Sequence, residues 1–355
     1  MAVRLIAAIL IAGAAPAFAQ TKPAPLTTEA DKPFKHENSG ITLPVTLLGF
    51  PRKEGQEYVK PQLDVAFRYF PADSSEEVSV YIYRVNTGVP SLWFDVSSSS
   101  VEQRASFGRK TRFEMPLTFT PPGQATASGL KAAWTLSDAP YRSTALAMVP
   151  VGEWLVKIRY SATTLETASL ARRLEDVIAA IGWPGKIKPS PAAAAIADCT
   201  SPLKLNGTSK PVKPDGASAL MDALMVAAVR DKKGKEEAKE AAPVAWCRDR
   251  AVKAPAPVYR PAESDNSYLL AFTDSGQAVW TQPSPSTLFG IGKDGKDGKE
   301  SWSVSVVLPG ETINYLGRDR LPEPAEIGKI IGGQVTSRVS TWGKSTLTLD
   351  SATFK

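Results

Sequence analysis

Histidine occurs once in the 355 residues, at position 36, and cysteine twice, at 199 and 247. A single histidine excludes multi-histidine zinc sites and makes any Ser-His-Asp reading depend on His36 alone. His36 lies in a Pro-, Thr- and Lys-rich N-terminal stretch, where a solvated side chain is expected. The cysteine spacing excludes a C-x-x-C redox pair, and no histidine is placed to serve a lone nucleophilic thiol. Long apolar runs are missing after residue 19, so no transmembrane segment is expected in the mature chain. Excess charge of one sign is also small: +6, falling to +5 without Arg4, the only charged side chain of residues 1–19. That excess favours anionic envelope surfaces by weak, salt-screened attraction. Without a clustered Arg/Lys face interleaved with aromatics, it does not point to nucleic acid.

What is present begins with an address. Arg4 supplies a positive start, Leu5 to Ala14 an apolar run too short to span a bilayer, and Ala17-Phe18-Ala19 a small-x-small cleavage site before Gln20. The pattern predicts a secreted, periplasmic protein cleaved after Ala19. With Gln20 rather than cysteine after the cleavage site, a lipoprotein anchor is not expected. In an oxidising compartment the two thiols are expected to form one disulfide, Cys199–Cys247.

The periodicity predicts an α+β protein of two domains. Residues 1–19 read as signal peptide and 20–36 as a flexible tail. Residues 37–184 read as an antiparallel sheet packed by helices, 185–197 as a Pro/Ala linker, and 198–355 as a smaller, disulfide-stapled α+β domain. Leu63 to Phe70 and Val78 to Val85 alternate as a strand pair across the turn Pro71 to Glu77. Ser91 to Phe107 loosely fits a helix. Lys110 to Phe119 and Lys131 to Leu136 read as strands, and Thr144 to Val149 with Trp154 to Tyr160 as a hairpin. Thr164 to Ile181 carries a helical stripe of Leu170, Leu174, Val177, Ile178 and Ile181, with capping-box spacing at Thr163 and Glu166 and a stop at Gly182 and Pro184. Beyond the linker, Gly216 to Arg230 reads as a helix and Lys232 to Glu240 as a solvated charge run. Strands follow at 267–273, 277–281, 301–308, 334–341 and 345–349, with a short helix at 325–331.

In residues 37–184 the order of strands, hairpin and terminal amphipathic helix resembles the PsbP/Mog1-like α/β/α sandwich. The resemblance is carried by Gly40-Ile41-Thr42-Leu43-Pro44, the strand from Trp154 to Tyr160, and the helix ending in Gly182-Trp183-Pro184. It covers about two fifths of the chain and implies an accessory or protein-binding role without catalysis, which is fold-level analogy.

Three motifs invite chemistry. Gly290-Ile291-Gly292-Lys293-Asp294-Gly295 matches G-x-G-x-x-G, but a strand rather than a helix follows, and Asp297 stands where a phosphate loop needs Ser or Thr after Lys296. Asp294, Asp297 and Glu300 lack the alternate oxygen spacing of a calcium loop, and lysines interleave with them. Ser201-Pro202-Leu203-Lys204 and Ser264-Asp265-Asn266 resemble the S-x-x-K and S-D-N elements of penicillin-binding enzymes, yet no K-T-G follows, and Leu205-Asn206-Gly207-Thr208 makes a poor helix behind Ser201. No cofactor, metal or catalytic set is assigned.

The expectation is therefore an exported periplasmic, non-catalytic binding or assembly module. Its partner would be an envelope protein or an anionic envelope surface. The alternatives are an envelope hydrolase, using carboxylates or Ser201 with Lys204, and a small-ligand carrier with a closed apolar pocket.

Overall fold

The computed structural model describes residues 23–53, 55–113, 115–212, 244–285, 300–344 and 346–350. The predicted helix at 216–230, the charge run at 232–240 and the glycine motif at 290–295 lie outside them.

Short extended pieces open the chain: β1 (Ala24–Leu26), then the hairpins β2 (Phe34–Lys35) with β3 (Thr42–Leu43) and β4 (Thr46–Leu47) with β5 (Phe50–Pro51). Longer strands follow as β6 (Gly55–Val59), β7 (Asp64–Tyr69) and β8 (Glu76–Arg84). Next come α1 (Pro90–Gln103), β9 (Arg109–Arg112), β10 (Leu117–Phe119), β11 (Gly129–Ser137), β12 (Ser143–Val151), β13 (Trp154–Ala162) and α2 (Thr167–Ala180). The first sheet has the order β1-β6-β7-β8-β13-β12-β11-β10, with β9 also on β11. Its strands alternate as predicted: Val65, Phe67, Val80, Ile82, Val156 and Ile158 are buried on one face. The tight turn joining β12 to β13 turns on Gly152, whose φ of 63° suits a residue without a Cβ.

Helix α2 lays Leu170, Leu174, Val177 and Ile178 on that face, each worth about 1.5–3 kcal/mol of burial before the entropy of ordering is charged. Its stripe is the predicted one, but its start is not. The N-cap is Glu166, with no capping hydrogen bond. The Thr163 hydroxyl donates instead to Ser75 O at 3.1 Å, and Glu166 pairs with Arg142, so neither side chain closes a capping box. On the opposite face, α1 buries Leu92, Trp93, Phe94 and Val96, bearing out the helix expected there.

Residues 24–35, expected as tail, are folded onto the sheet. β1 pairs with β6, and Phe34 is buried against Phe67. Edge strands two or three residues long leave no alternation to read. The expected strand from 110 to 119 is two strands. Arg112 stands opposite Trp134 and Leu117 opposite Lys131, so the chain carries two more residues here than β11 beside it. Pro116, with no N–H for a ladder bond, lies in the interruption.

After α2 the chain runs through 185–197 to β14 (Ala197–Asp198). It continues in β15 (Trp246–Arg248), β16 (Val258–Pro261), β17 (Tyr268–Ala271), β18 (Ala278–Pro283), β19 (Trp302–Val307) and β20 (Glu311–Tyr315). The short helix α3 (Ile327–Ile331) and strands β21 (Val335–Ser340) and β22 (Leu347–Leu349) complete it. These nine strands form a second sheet in sequential order, antiparallel except for β14 on β15. The predicted disulfide is present: Cys199, just after β14, bonds Cys247 in β15, with Cα atoms 4.9 Å apart. The architecture is α+β, mostly sheet, in two sheet systems.

The second sheet shares a core with the first. Tyr259, Leu269, Ala271 and Ala278 pack in one cluster with Tyr83, Leu92, Trp134 and Leu155. Asp95 of α1 accepts from Tyr259 at 2.7 Å and pairs with Arg248 at 3.2 Å. The 185–197 stretch, expected as a linker, is docked. Thr126 Oγ1 donates to Ser190 O at 2.7 Å, Ala193 N donates to Ala127 O at 2.9 Å, and Ile187 and Ile196 pack on the two cores. Among the described residues no helix is long and apolar enough to cross a membrane.

Candidate functional site

Around the break between β9 and β10, Phe113, Met115 and Leu117 form a flap beside α2, with Phe113 N still donating to Ala133 O on β11 at 2.8 Å. Beneath it lies a groove of about 320 Å³. The floor is built of small residues from three elements: Ala133 on β11, Ala145 on β12, and Ala168 and Ala171 on α2. The space follows from their volume, because a larger side chain at any of these positions would fill what a methyl leaves open. Phe113, Met115 and Leu117 line the flap and are 45%, 74% and 44% exposed. They are three of the five exposed large apolar residues among those described; the other two, Val212 and Val244, border 213–243. Apolar exposure on the described surface is thus concentrated here rather than scattered.

Among the described residues three charged side chains reach the groove: Lys131, Arg172 and Glu175. Lys131 and Glu175 form an ion pair across its rim. Arg172 is exposed and makes no hydrogen bond or ion pair among the described residues. An apolar trough with one unneutralised cation can bind and orient a ligand.

The residues singled out by sequence fall elsewhere. Ser201 and Lys204 lie in irregular chain, not on one helical turn, although the two motif segments meet: Lys204 N donates to Asp265 O at 2.8 Å. The Lys204 ammonium is 2.5 Å from Asp265 Oδ2, which holds that carboxylate below its usual range. The backbone carbonyl of Ser201 accepts from Arg260. Ser264 Oγ is bonded to Ser267 Oγ at 2.6 Å. This arrangement builds a brace around Arg260, which is fully buried and also pairs with Asp249 at 3.2 Å.

His36 is not solvated. It is fully buried, edge-on to Trp154 with centroids 4.8 Å apart. Its Nε2 is 2.8 Å from Gln62 O, a pure acceptor, so Nε2 carries the proton and Nδ1 accepts from Ser39 Oγ at 2.7 Å. Burial lowers its pKa, outweighing the Gln62 hydrogen bond and the Glu37 charge. Phe34 and Ile41, buried on either side, draw the loop inward.

A charged cluster between the sheets was not among the residues singled out by sequence. Asp64 on β7 and Lys157 on β13 are almost fully buried, and the 273–276 turn of the second sheet brings Asp274 to them. Lys157 Nζ is 2.8 Å from Asp274 Oδ2 and 4.5 Å from the centre of the Tyr81 ring. Burial pushes the Asp64 carboxyl up to about 7, with the Lys157 charge and a Ser275 hydrogen bond only partly offsetting it. Burial acts upward on Asp274 as the largest single effect, but the Lys157 charge and hydrogen bond, the Arg159 charge and a backbone hydrogen bond together outweigh it and hold that carboxylate low. The hint available in sequence was a lysine at the centre of the apolar Trp154–Tyr160 strand.

Among the described residues no group of three His, Cys, Asp or Glu side chains is placed to hold a metal ion. Asp294 and Asp297 lie outside the described residues.

No family model matches the chain, and no curated protein does. Among solved structures, the chain has a weak PsbP-like fold match to a cyanobacterial PsbP (CyanoP) from Synechocystis, at 15% identity and a TM-score of 0.31, covering 44% of this chain and 95% of that one. A crystal structure from Bacteroides thetaiotaomicron is similar at 9% identity and a TM-score of 0.21, over 70% of this chain and 89% of the other.

Proposed function

We propose that this is an exported, non-catalytic binding module of the cell envelope, and that the groove between α2 and the flap residues Phe113, Met115 and Leu117 is its binding site. The observation that carries the reading is the gathering of Phe113, Met115 and Leu117 over a floor of alanines. Exposing large apolar side chains above an unfilled trough forgoes part of the about 1.5–3 kcal/mol that full burial of each is worth, and an apolar ligand or partner segment recovers it. The signal-peptide pattern of residues 1–19 supports the envelope address, and the modest net positive charge suits an environment of anionic surfaces.

The test is a polarity-sensitive naphthylamine dye titrated into the mature chain. The expected result is saturable fluorescence enhancement, lost in Met115→Glu and in Ala171→Leu while the unfolding midpoints hold. Equal enhancement in both variants sinks the assignment of the site.

A further inference from the structure

We infer that the groove takes a single-chain anionic amphiphile of fatty-acid type, with its hydrocarbon chain on the alanine floor and its acid group against Arg172. The inference rests on the groove being a binding site and adds the class of ligand.

Size gives the first part of the argument. At about 320 Å³ the space is at the lower end of the range for small-ligand sites, and one face is open to solvent. It is too small for the apolar face of a folded partner and suits one narrow chain. The floor is made of methyl groups with no polar side chain among them, so it offers dispersion and burial but no hydrogen bond along its length. A peptide laid there would leave backbone groups without partners on the floor side, whereas a hydrocarbon chain has none to satisfy.

Charge gives the second part. Lys131 and Glu175 cancel each other at the rim. The nearby α2 cation Arg173 is committed to Glu76 at 3.0 Å, and Arg142 to Glu166 at the helix start. Among the described residues Arg172 is left as the unpaired positive charge at the mouth. A guanidinium presents paired N–H donors that match a carboxylate, so one end of the ligand is fixed as acidic while the trough fixes the other as apolar.

The experiment is displacement of dansyl-undecanoic acid from the mature chain by dodecanoate and, separately, by dodecanol. Dodecanoate is expected to displace the probe at least about fivefold more effectively than dodecanol. Arg172→Glu is expected to weaken dodecanoate by about fivefold to tenfold and leave dodecanol unchanged. Ala171→Leu, which fills the trough from a half-buried position of α2, weakens both without moving the unfolding midpoint.

Equal displacement by the two competitors, unaffected by Arg172→Glu, overturns the acidic-head assignment while leaving an apolar site in place. No binding of any of these probes, together with no dye binding, removes the site itself. A concentration-dependent dimer in sedimentation that Ala171→Leu abolishes makes a second copy of the chain the occupant and also overturns the proposal.

Discussion

Asp64→Asn removes the charge from a buried carboxyl while keeping its shape, and the pH dependence of the result measures what burial does to that charge. Asp64 is 3% exposed and its pKa is pushed up to about 7, mainly by burial. In the unfolded chain an aspartate titrates near 3.9. Between these values the folded protein holds the proton more tightly than the unfolded chain does. The contribution of Asp64 to stability is therefore full below about pH 4 and is lost as pH rises through about 7. Three pH units at 1.36 kcal/mol each give a loss of about 4 kcal/mol. Asp274 has the opposite sign: held low by Lys157, it adds stability that is present above about pH 4 and lost as pH falls below it. It is common to both proteins and cancels to first order in their difference. Asparagine does not ionise, so the variant's stability relative to the native chain should climb by about 4 kcal/mol from about pH 4 to pH 8, then level off. Denaturant unfolding of the two mature proteins across that range reads the difference directly. A difference constant to within about 1 kcal/mol refutes the claim that a buried carboxyl is neutral between the sheets at low pH and charged at high pH.

Two further perturbations test the brace at the start of the second sheet. Replacing Cys199 and Cys247 together by serine opens a crosslink spanning 48 residues. It should cost about 4 kcal/mol in the chain-entropy account, read as a drop in the denaturant midpoint that reductant reproduces in the native chain; a loss under about 1 kcal/mol contradicts it. Arg260→Met leaves Asp249 buried without its partner and strips the carbonyls of Ser201 and Ser264 of a donor. The expected loss is about 3–5 kcal/mol, with part recovered in the double variant carrying Asp249→Leu, and a double variant no better than the single one disproves the pairing argument.

Legibility in the sequence followed the range of the interactions. Val65 and Phe67, Val80 and Ile82, and the Trp154–Tyr160 face alternate over enough residues to declare their strands, and Leu170, Leu174 and Val177 declare α2 in the same way. A local pattern sufficed because one buried face sets it. The β1 edge and the Phe34–Lys35 pair are too short to show a period, so His36 was read as solvated although Phe34 and Ile41 carry it inside. Asp64, Lys157 and Asp274 meet across 210 residues of chain, and each alone looks like an ordinary surface charge.

The groove was hidden for a different reason, which also bears on what it is for. Alanine is neutral in every periodicity argument: Ala133, Ala145, Ala168 and Ala171 fit a strand or a helix and declare neither a core nor a surface. What the sequence did display was Phe113, Met115 and Leu117 at alternate positions within 110–119, a stretch expected as one strand. Had that strand paired along its full length, the three side chains would lie on the sheet beside α2 and close over the alanines. Phe113 N still donates to Ala133 O at 2.8 Å and Leu117 stands opposite Lys131, but the two extra residues between them break the pairing, and Phe113, Met115 and Leu117 stay 44–74% exposed. The small floor and the interrupted edge strand are separate sequence features. Their coincidence where, among the described residues, large apolar side chains are exposed together is what a binding site requires, and a fold concerned only with stability gains nothing from it.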